Sequence, residues 1–230
     1  MKRLITGLAT CTLLLGVLTE QVIARGPLTD LDHPVERFAV THRSIAMTDV
    51  MRLLSDVGST SFLFPIVLIA VVYFVFRDRA WKPPAVLAAA FISDILLQDV
   101  VKAVVGRHRP PLSQMIGRYP GASFPSGHTT QSLVVYGMIA LLLVRTHPGW
   151  PRAAVLLPAT FLVLLIGISR VYLGAHWPTD VAGGLLLGSF WLLVLHALFP
   201  FLLPNRMPTT MLGSSEAPKT NEAASFRDST

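Results

Sequence analysis

The sequence predicts an all-α protein, a polytopic membrane helix bundle of about six transmembrane helices. Of its 230 residues, 52% are hydrophobic and 14% are charged, which is too apolar for a soluble domain. Several apolar runs reach roughly the 20 residues that a helix needs to cross a bilayer. We therefore expect one membrane-embedded domain over residues 1–205. Residues 206–230, rich in Ser, Thr, Ala and Pro, are expected to form a disordered cytoplasmic tail.

Charge and cysteine content exclude two other classes of protein. The net charge is +6, but the basic residues are scattered through short polar links. They do not form the dense patch with interleaved aromatic residues that is typical of nucleic-acid binding. The sequence thus predicts no nucleic-acid partner and a bilayer as the surroundings. Cys11 is the single cysteine, which excludes an intramolecular disulfide and a cysteine metal cluster.

The first elements of the chain are an apolar run and a more polar connector. Lys2 and Arg3 precede an apolar run from Leu4 to Ala24, which is either a first transmembrane helix or a cleaved signal segment over residues 1–24. We favour the retained helix. Between Gly26 and Asp56, apolar residues recur at roughly helical intervals among charged ones. This pattern predicts a segment lying along the membrane surface, with an extramembrane loop containing a short helix as the alternative.

Five further apolar runs predict the remaining spans. They are Gly58–Phe76, Pro84–Val105, Thr129–Val144, Ala153–Val171 and Val181–Leu203. The third span is unusual because Asp94, Gln98 and Lys102 recur at intervals of four and share one helix face. Charge that faces lipid is unfavourable, so this face should point inward. It forms either the floor of a binding pocket or a structural polar contact inside the bundle.

The distribution of basic residues predicts the orientation of the bundle. Basic residues cluster in the links after the second and fourth spans, namely Arg77, Arg79, Lys82, Arg145 and Arg152. The positive-inside rule puts these links in the cytoplasm. Each span crosses the membrane once, so successive links alternate between the two sides. The links that follow the third and fifth spans therefore lie outside. We expect a multi-pass protein of the cytoplasmic (inner) membrane, with its active site facing the outside or periplasm.

Three short blocks within residues 102–180 concentrate chemistry-bearing residues at that outer end. The first runs from Lys102 to Arg109-Pro110, the second is Pro125-Ser126-Gly127-His128, and the third runs from Ser169-Arg170 through His176 to Asp180. Apart from Arg107 and His108, they supply three cations, two histidines and one carboxylate. Cations neutralise phosphoryl oxygens, and histidines attack phosphorus or protonate a leaving oxygen. The set suits the cleavage of a phosphate ester.

Each candidate residue has a role in such a reaction. His176 is the candidate nucleophile, and Asp180 accepts a hydrogen bond from its other ring nitrogen. His128 is the candidate general acid. Lys102, Arg109 and Arg170 are expected to bind phosphoryl oxygens, and Ser126 with the Gly127 amide is expected to help as oxyanion donors. Ser126 also suits a plain N-cap.

Some polar residues near these blocks have a less defined role. Arg107, His108, Arg118 and Tyr119 either select the headgroup or form a solvated rim. Arg107 and Arg118 would supply the extra positive charge that a diphosphate requires. The scheme needs no metal ion and no cofactor, since three protein cations neutralise the phosphate.

The three blocks also carry a family resemblance. Lys-x6-Arg-Pro, Pro-Ser-Gly-His and Ser-Arg-x5-His-x3-Asp, in this order, resemble the signature of the type 2 phosphatidic acid phosphatase superfamily. The resemblance implies a metal-independent membrane lipid phosphatase that works through a phosphohistidine. The best substrate candidate is undecaprenyl diphosphate, and phosphatidylglycerophosphate, phosphatidate and lipid A phosphate are alternatives. A lipid phosphotransferase using the same intermediate is a further alternative.

Overall fold

A computed structural model describes residues 2–78 and 81–202, and in these residues the protein is a helix bundle without β-strands. Two short 3-10 helices cover Pro27–Leu31 and Leu112–Gln114. The α-helices are α1 Lys2–Ala24, α2 Asp32–Thr41, α3 Ile45–Val57, α4 Thr60–Asp78, α5 Lys82–Val105, α6 Gly127–Thr146, α7 Arg152–Tyr172 and α8 Pro178–Leu202. The predicted all-α class is confirmed.

Six of these helices are long and apolar enough to cross a membrane, namely α1 and α4 to α8. Their number and order match the predicted spans. The main difference is that α6 and α8 begin earlier than predicted, inside the second and third sequence blocks. The early start of α8 follows from Pro178 at its first position, because the fixed φ of proline suits a first helical turn. Both helix starts therefore belong to the candidate site.

Helix α6 lies at the centre of the bundle and α1 at its edge. In the most apolar stretch of each helix, 56% of the α6 residues are buried, against 11% for α1. The main core cluster is built from α4, α5, α6 and α8, with Leu63, Leu87, Val134 and Leu195 among its buried members. Helix α1 packs along α8. The choice between a retained first helix and a cleaved signal segment stays a prediction.

A close approach between α8 and α6 brings two sequence blocks together. A Cβ atom on Gly184 of α8 would lie 2.8 Å from the Ser126 carbonyl oxygen, closer than real Cβ contacts. Glycine is therefore required for the start of α6 to lie against α8. The Ser126 amide also donates to the Asp180 carbonyl oxygen at 2.9 Å. The second and third blocks are thus joined through the backbone.

The connector between α1 and α4 is helical, as predicted. Unlike a helix of a soluble protein, it buries polar side chains and exposes apolar ones. The buried residues of α2 are Asp32 and Glu36, whereas its Phe38 is 64% exposed. Helix α3 is capped by Ser44, whose side chain accepts a hydrogen bond from the Met47 amide at 3.3 Å. It buries Ser55 and exposes Leu53. Both helices bury polar groups against the bundle and leave large apolar groups exposed, and α3 also exposes the charged side chains of Asp49 and Arg52.

The three sequence blocks meet at one end of the bundle, where α5 and α7 end and α6 and α8 begin. Gly106 closes α5 in the left-handed conformation, with φ of 60°, and turns the chain into the loop before α6. The basic residues Arg77, Lys82, Arg145 and Arg152 lie near the other ends of the spans. Arg79 lies outside the described residues. The domain limit at residue 205 and the tail over 206–230 also lie outside them and stay predictions.

Candidate active site

Residues from all three sequence blocks line one cavity of about 310 Å³ at this end of the bundle. The cavity walls come from the start of α4, from α5, α6 and α7, and from the two loops that follow α5 and α7. Its lining includes Lys102, Arg109, Gly127, His128, Arg170 and His176. The predicted convergence of three cations and two histidines is present in the geometry.

The contact with Arg109 determines which ring nitrogen of His176, the candidate nucleophile, carries the proton. Its Nη1 atom lies 3.1 Å from His176 Nε2 and 2.8 Å from the Ala175 carbonyl oxygen, to which it donates. Arginine carries only donors, so Nε2 accepts this hydrogen bond and is unprotonated. In a neutral imidazole the proton then lies on Nδ1, on the Asp180 side of the ring. The nitrogen that faces Arg109 is therefore unprotonated, and its lone pair accepts the hydrogen bond from Arg109.

Asp180 lies behind the imidazole, as the sequence predicted, but the contact is looser than a hydrogen bond. His176 Nδ1 is 3.4 Å from Asp180 Oδ2 and has no hydrogen-bond partner among the described residues. Burial lowers the pKa of His176 to about 4, although the Asp180 carboxylate acts in the opposite direction. The imidazole is therefore neutral at pH 7.

Asp180 itself is fully buried and held by several donors. Its Oδ2 accepts from the Trp177 amide at 2.9 Å and from the Ser123 hydroxyl, and its Oδ1 accepts from Arg107 Nη1 at 2.6 Å. Ser123 lies outside the three blocks, and no sequence pattern pointed to it. These contacts fix the carboxylate in one orientation.

The polar face of α5 forms a chain of contacts that ends in the cavity. Lys102 Nζ donates to Gln98 Oε1 at 3.3 Å, and Gln98 Nε2 donates to Asp94 Oδ2 at 3.4 Å. Gln98 and Lys102 line the cavity, whereas Asp94 is fully buried and lies outside its lining. The two interpretations of this face therefore both apply: Gln98 and Lys102 belong to the floor, and Asp94 is an internal polar contact.

Arg170 is held by Ser55 and Tyr119, which no spacing in the sequence connects with it. The guanidinium is buried and donates to the Ser55 hydroxyl of α3. It also lies over the ring of Tyr119, 4.4 Å from the centroid, in a cation–π contact. The Tyr119 hydroxyl donates to the Ile116 carbonyl oxygen at 2.8 Å, which fixes the ring. Tyr119 thus supports the arginine and also lines the cavity.

At the start of α6, only one of the two candidate oxyanion donors lies in the cavity lining. Gly127 lines the cavity, and a Cβ atom there would lie 2.3 Å from Gln98 Oε1 and 3.1 Å from Lys102 Nζ. Ser126 occupies the N-cap position, but its side chain makes no capping bond and instead accepts from Thr129 Oγ1 at 3.0 Å. It is fully buried and is not part of the cavity lining. The geometry brings Gly127 to the cavity, but not the Ser126 hydroxyl.

The structure locates Arg107 and Arg118 away from the cavity lining. Arg107 is 14% exposed in its side chain and bridges two carboxylates, donating to Asp180 Oδ1 at 2.6 Å and to Asp32 Oδ2 at 2.5 Å. Arg118 is exposed. The guanidinium of Arg107 is thus occupied by a carboxylate on each side, and the headgroup contacts expected of Arg107 and Arg118 stay predictions.

A cavity that gathers three cations and two histidines at one end of a membrane helix bundle points to an integral-membrane phosphatase. The sequence profile of the PAP2 superfamily matches residues 83–203. Phosphatidylglycerophosphatase B of Bacillus subtilis is 35% identical over 159 residues, covering 68% of this chain and 77% of that protein. An undecaprenyl-diphosphatase of Sulfolobus acidocaldarius is 31% identical over 157 residues, covering 66% and 70%.

A solved structure shows the same architecture. The crystal structure of a transmembrane PAP2-type phosphatidylglycerolphosphate phosphatase from Bacillus subtilis superposes with a TM-score of 0.81 at 29% identity. The match covers 86% of this chain and 98% of that chain. The chain belongs to the PAP2 superfamily, the type 2 phosphatidic acid phosphatases that its three sequence blocks resemble. It is a multi-pass membrane phosphatase of that superfamily.

Proposed function

We propose that this protein removes phosphate from a membrane lipid through a phosphohistidine on His176, with no metal ion taking part. The observation that carries the proposal is the hydrogen bond from Arg109 to His176 Nε2, which leaves an unprotonated nitrogen in a cavity lined by cations. Such a nitrogen is a competent nucleophile toward phosphorus. Within residues 2–78 and 81–202, no group of three or more His, Cys, Asp or Glu residues lies close enough to hold a metal ion.

The reaction proceeds in two displacements at phosphorus. In the first, His176 Nε2 forms a bond to phosphorus while the bond from phosphorus to the lipid oxygen breaks. His128 gives its proton to that leaving oxygen. In the second, a water molecule attacks phosphorus, passes a proton to His128, and the phosphorus–nitrogen bond breaks. Inorganic phosphate leaves, and both histidines return to their starting states.

The cations supply most of the electrostatic stabilisation. Arg109 moves its donor from Nε2 to a non-bridging oxygen when the phosphate binds, and Lys102 and Arg170 bind the other oxygens. The Gly127 amide at the start of α6 adds a backbone donor. Donors that are held in place before the reaction stabilise the charge that grows on the equatorial oxygens of the transition state.

The substrate proposed here is a lipid monophosphate of the phosphatidylglycerophosphate class, with undecaprenyl diphosphate as the second candidate. Three cations line the described cavity, and they match the oxygens of one phosphoryl group. A diphosphate needs further positive charge, for which the sequence offered Arg107 and Arg118, and neither lines the cavity. The diphosphate retains support from the Sulfolobus acidocaldarius relative, which is an undecaprenyl-diphosphatase.

Phosphate release by the purified protein from a panel of lipid phosphates tests this proposal. We expect turnover of phosphatidylglycerophosphate, no loss of activity with a chelator, and inhibition by vanadate, which mimics five-coordinate phosphorus. A complete loss on chelation that magnesium restores would contradict the mechanism. Including a lipid alcohol in the same assay separates hydrolysis from phosphotransfer, since a phosphotransferase would yield a new phospholipid in place of inorganic phosphate.

The orientation proposed for the cavity is toward the outside of the cytoplasmic membrane. Its support is the basic residues at the opposite ends of the spans. Cysteines at Ser113, in the loop beside the cavity, and at Gly149, between α6 and α7, test it in a Cys11→Ala background. A membrane-impermeant thiol reagent should label the Ser113 position in intact cells and the Gly149 position only after lysis. The reverse pattern would overturn the orientation.

The connector helices α2 and α3 are proposed to lie along the outer membrane surface. The support is the exposure of their large apolar side chains, among them Phe38 and Leu53, while the side chains that they bury are polar. On α3, Val50 is exposed on one side and Arg52 on nearly the opposite side, 200° further around at 100° per residue. Such an amphipathic helix suits the boundary between lipid and water.

A further inference from the structure

Asp32, a carboxylate of the connector helix α2, is buried next to the third sequence block. It is 1% exposed and accepts hydrogen bonds from the Thr179 amide at 2.9 Å and the Thr179 hydroxyl at 2.6 Å. Its Oδ2 also accepts from Arg107 Nη2 at 2.5 Å. Asp32 lies outside residues 83–203, the part of the chain that matches the family profile. A residue from the N-terminal part of the chain therefore adjoins the start of α8.

Arg107 connects Asp32 to the candidate catalytic residues. Its Nη2 donates to Asp32, and its Nη1 donates to Asp180 Oδ1 at 2.6 Å and to Thr179 Oγ1 at 2.7 Å. The guanidinium thus has one carboxylate on each side. A buried carboxylate is stabilised by a paired cation, and removal of the cation leaves an uncompensated charge.

The geometry around Asp180 gives this contact a consequence for His176. Arg107 holds Oδ1, while the Trp177 amide and the Ser123 hydroxyl hold Oδ2. The Oδ2 atom is the one that lies 3.4 Å from His176 Nδ1. A rotation of the carboxylate would move Oδ2 away from the protonated Nδ1, so the ring would lose the acceptor behind it that fixes its orientation.

We propose that Asp32 and Arg107 are positioning residues of this phosphatase: Asp32 holds Arg107, and Arg107 holds the Asp180 carboxylate in the orientation that aims His176. This inference rests on the proposed roles of His176 and Asp180. It gives Arg107 a part in turnover of every substrate, and not in recognition of a second phosphate. It also makes α2 part of the working site, although α2 contributes no residue to the cavity lining.

Kinetics of Asp32→Asn, Arg107→Gln and the double variant test the inference. With a lipid monophosphate, each single variant should lower kcat by roughly 10- to 100-fold, the range for groups that orient a reacting side chain from behind. KM should change by less than about threefold, because neither residue touches the substrate. The double variant should be no slower than Arg107→Gln, since Asp32 acts through Arg107.

Two controls distinguish a positioning role from a general effect on folding. Asp49→Asn removes a carboxylate from the Asp49–Arg52 pair of α3, which spans 3.5 Å between side chains that are 66% and 57% exposed, and it should leave kcat unchanged. Arg107→Ala should regain activity in added guanidinium, since Arg107 borders a cavity of about 520 Å³ that shares no lining residue with the active-site cavity. A purely structural role in folding would not respond to guanidinium in the assay.

Several outcomes overturn the inference. One is a wild-type kcat in Arg107→Gln, and another is a KM increase confined to a lipid diphosphate, which would make Arg107 a headgroup contact. Additive losses in the double variant would separate Asp32 from Arg107. Thermal unfolding is measured in detergent for each variant. If Arg107→Gln fails to fold, Arg107→Lys replaces it, and a wild-type kcat per folded Arg107→Lys molecule counts against the geometric role.

The proposed function and this inference fail in different ways. An active His176→Ala variant that still forms a phosphoenzyme would refute the nucleophile itself. An inactive His176→Ala variant beside a fully active Arg107→Gln variant would leave the nucleophile in place and refute only the positioning role.

Discussion

The N-terminal connector and the cavity end of the bundle bury charged groups for different purposes. In the connector, Asp32 and Glu36 of α2 turn inward and lie outside the cavity lining. At the cavity end, Arg170 and His176 are buried and line the cavity. The family profile covers only the second region. In the proposed mechanism, the C-terminal part of the chain supplies the reacting groups and the N-terminal part holds them in place.

Removing the proposed nucleophile tests this division of roles with the largest expected effect. His176→Ala should lower kcat by more than about 10³-fold and abolish any acid-labile phosphoenzyme, because the proposed intermediate forms on the His176 imidazole. The measurements are phosphate release and trapping of labelled phosphoenzyme. His196→Gln, on the same helix as Asp180 but away from the cavity lining, is the matched control and should keep its activity. A normal phosphoenzyme yield in His176→Ala would move the nucleophile elsewhere.

Alanine substitutions at two glycines compare how tightly the cavity end and the edge of the bundle are packed. Gly127→Ala would bring a Cβ atom to 2.3 Å from Gln98 Oε1, so Gln98 and Lys102 must shift. We expect kcat/KM to fall by roughly 10- to 100-fold, because displacements of about 1 Å at a site have effects of this size. Thermal stability should change less, since the displaced atoms are ends of flexible side chains.

Gly16 is the control for that comparison. It lies on α1, and a Cβ atom there meets nothing within 4 Å. Gly16→Ala should therefore leave kcat/KM within about twofold of wild type and stabilise α1 slightly, since alanine is the better helix former. Equal losses in the two variants would show that the cavity end is no tighter than the edge of the bundle.

The pH dependence tests the burial of His176. The nucleophile must be unprotonated, and burial lowers its pKa to about 4, against an ordinary value near 6.5. The acid limb of the kcat/KM profile should therefore lie near pH 4, with activity retained at pH 5.5. Because the folded pKa is below the unfolded one, His176 also favours unfolding as the pH falls from about 6.5 toward 4. An acid limb near pH 6.5 would indicate a hydrated imidazole.

The smallest expected effect concerns the membrane contact of the connector. An environment-sensitive fluorophore on Val50→Cys should emit at shorter wavelength in lipid vesicles than the same fluorophore on Arg52→Cys, with Cys11 replaced in both. The first position faces away from the polar side of α3, and the second belongs to it. Both proteins should retain catalytic activity. Identical spectra from the two positions would argue against an interfacial α3 and leave the catalytic end unaffected.

The sequence by itself determined the helix class, the six apolar spans and the three blocks that supply the cavity. These properties are local, because the thickness of a bilayer sets the length of an apolar run and a block keeps its spacing in any fold. It also determined that Asp94, Gln98 and Lys102 share one face, since the helical repeat alone decides this. The observed contacts along α5 follow that prediction.

Only the tertiary structure decided which residues support the cavity and which line it. Arg107 pairs with Asp32 across 75 positions, Thr179 with Asp32 across 147, and Arg170 with Ser55 across 115. No spacing in the sequence encodes such pairs, because they form when helices from distant parts of the chain pack together. Arg107 and Arg109 are two residues apart, yet one turns toward buried carboxylates and the other toward the cavity. Their different roles follow from the helices that surround each guanidinium.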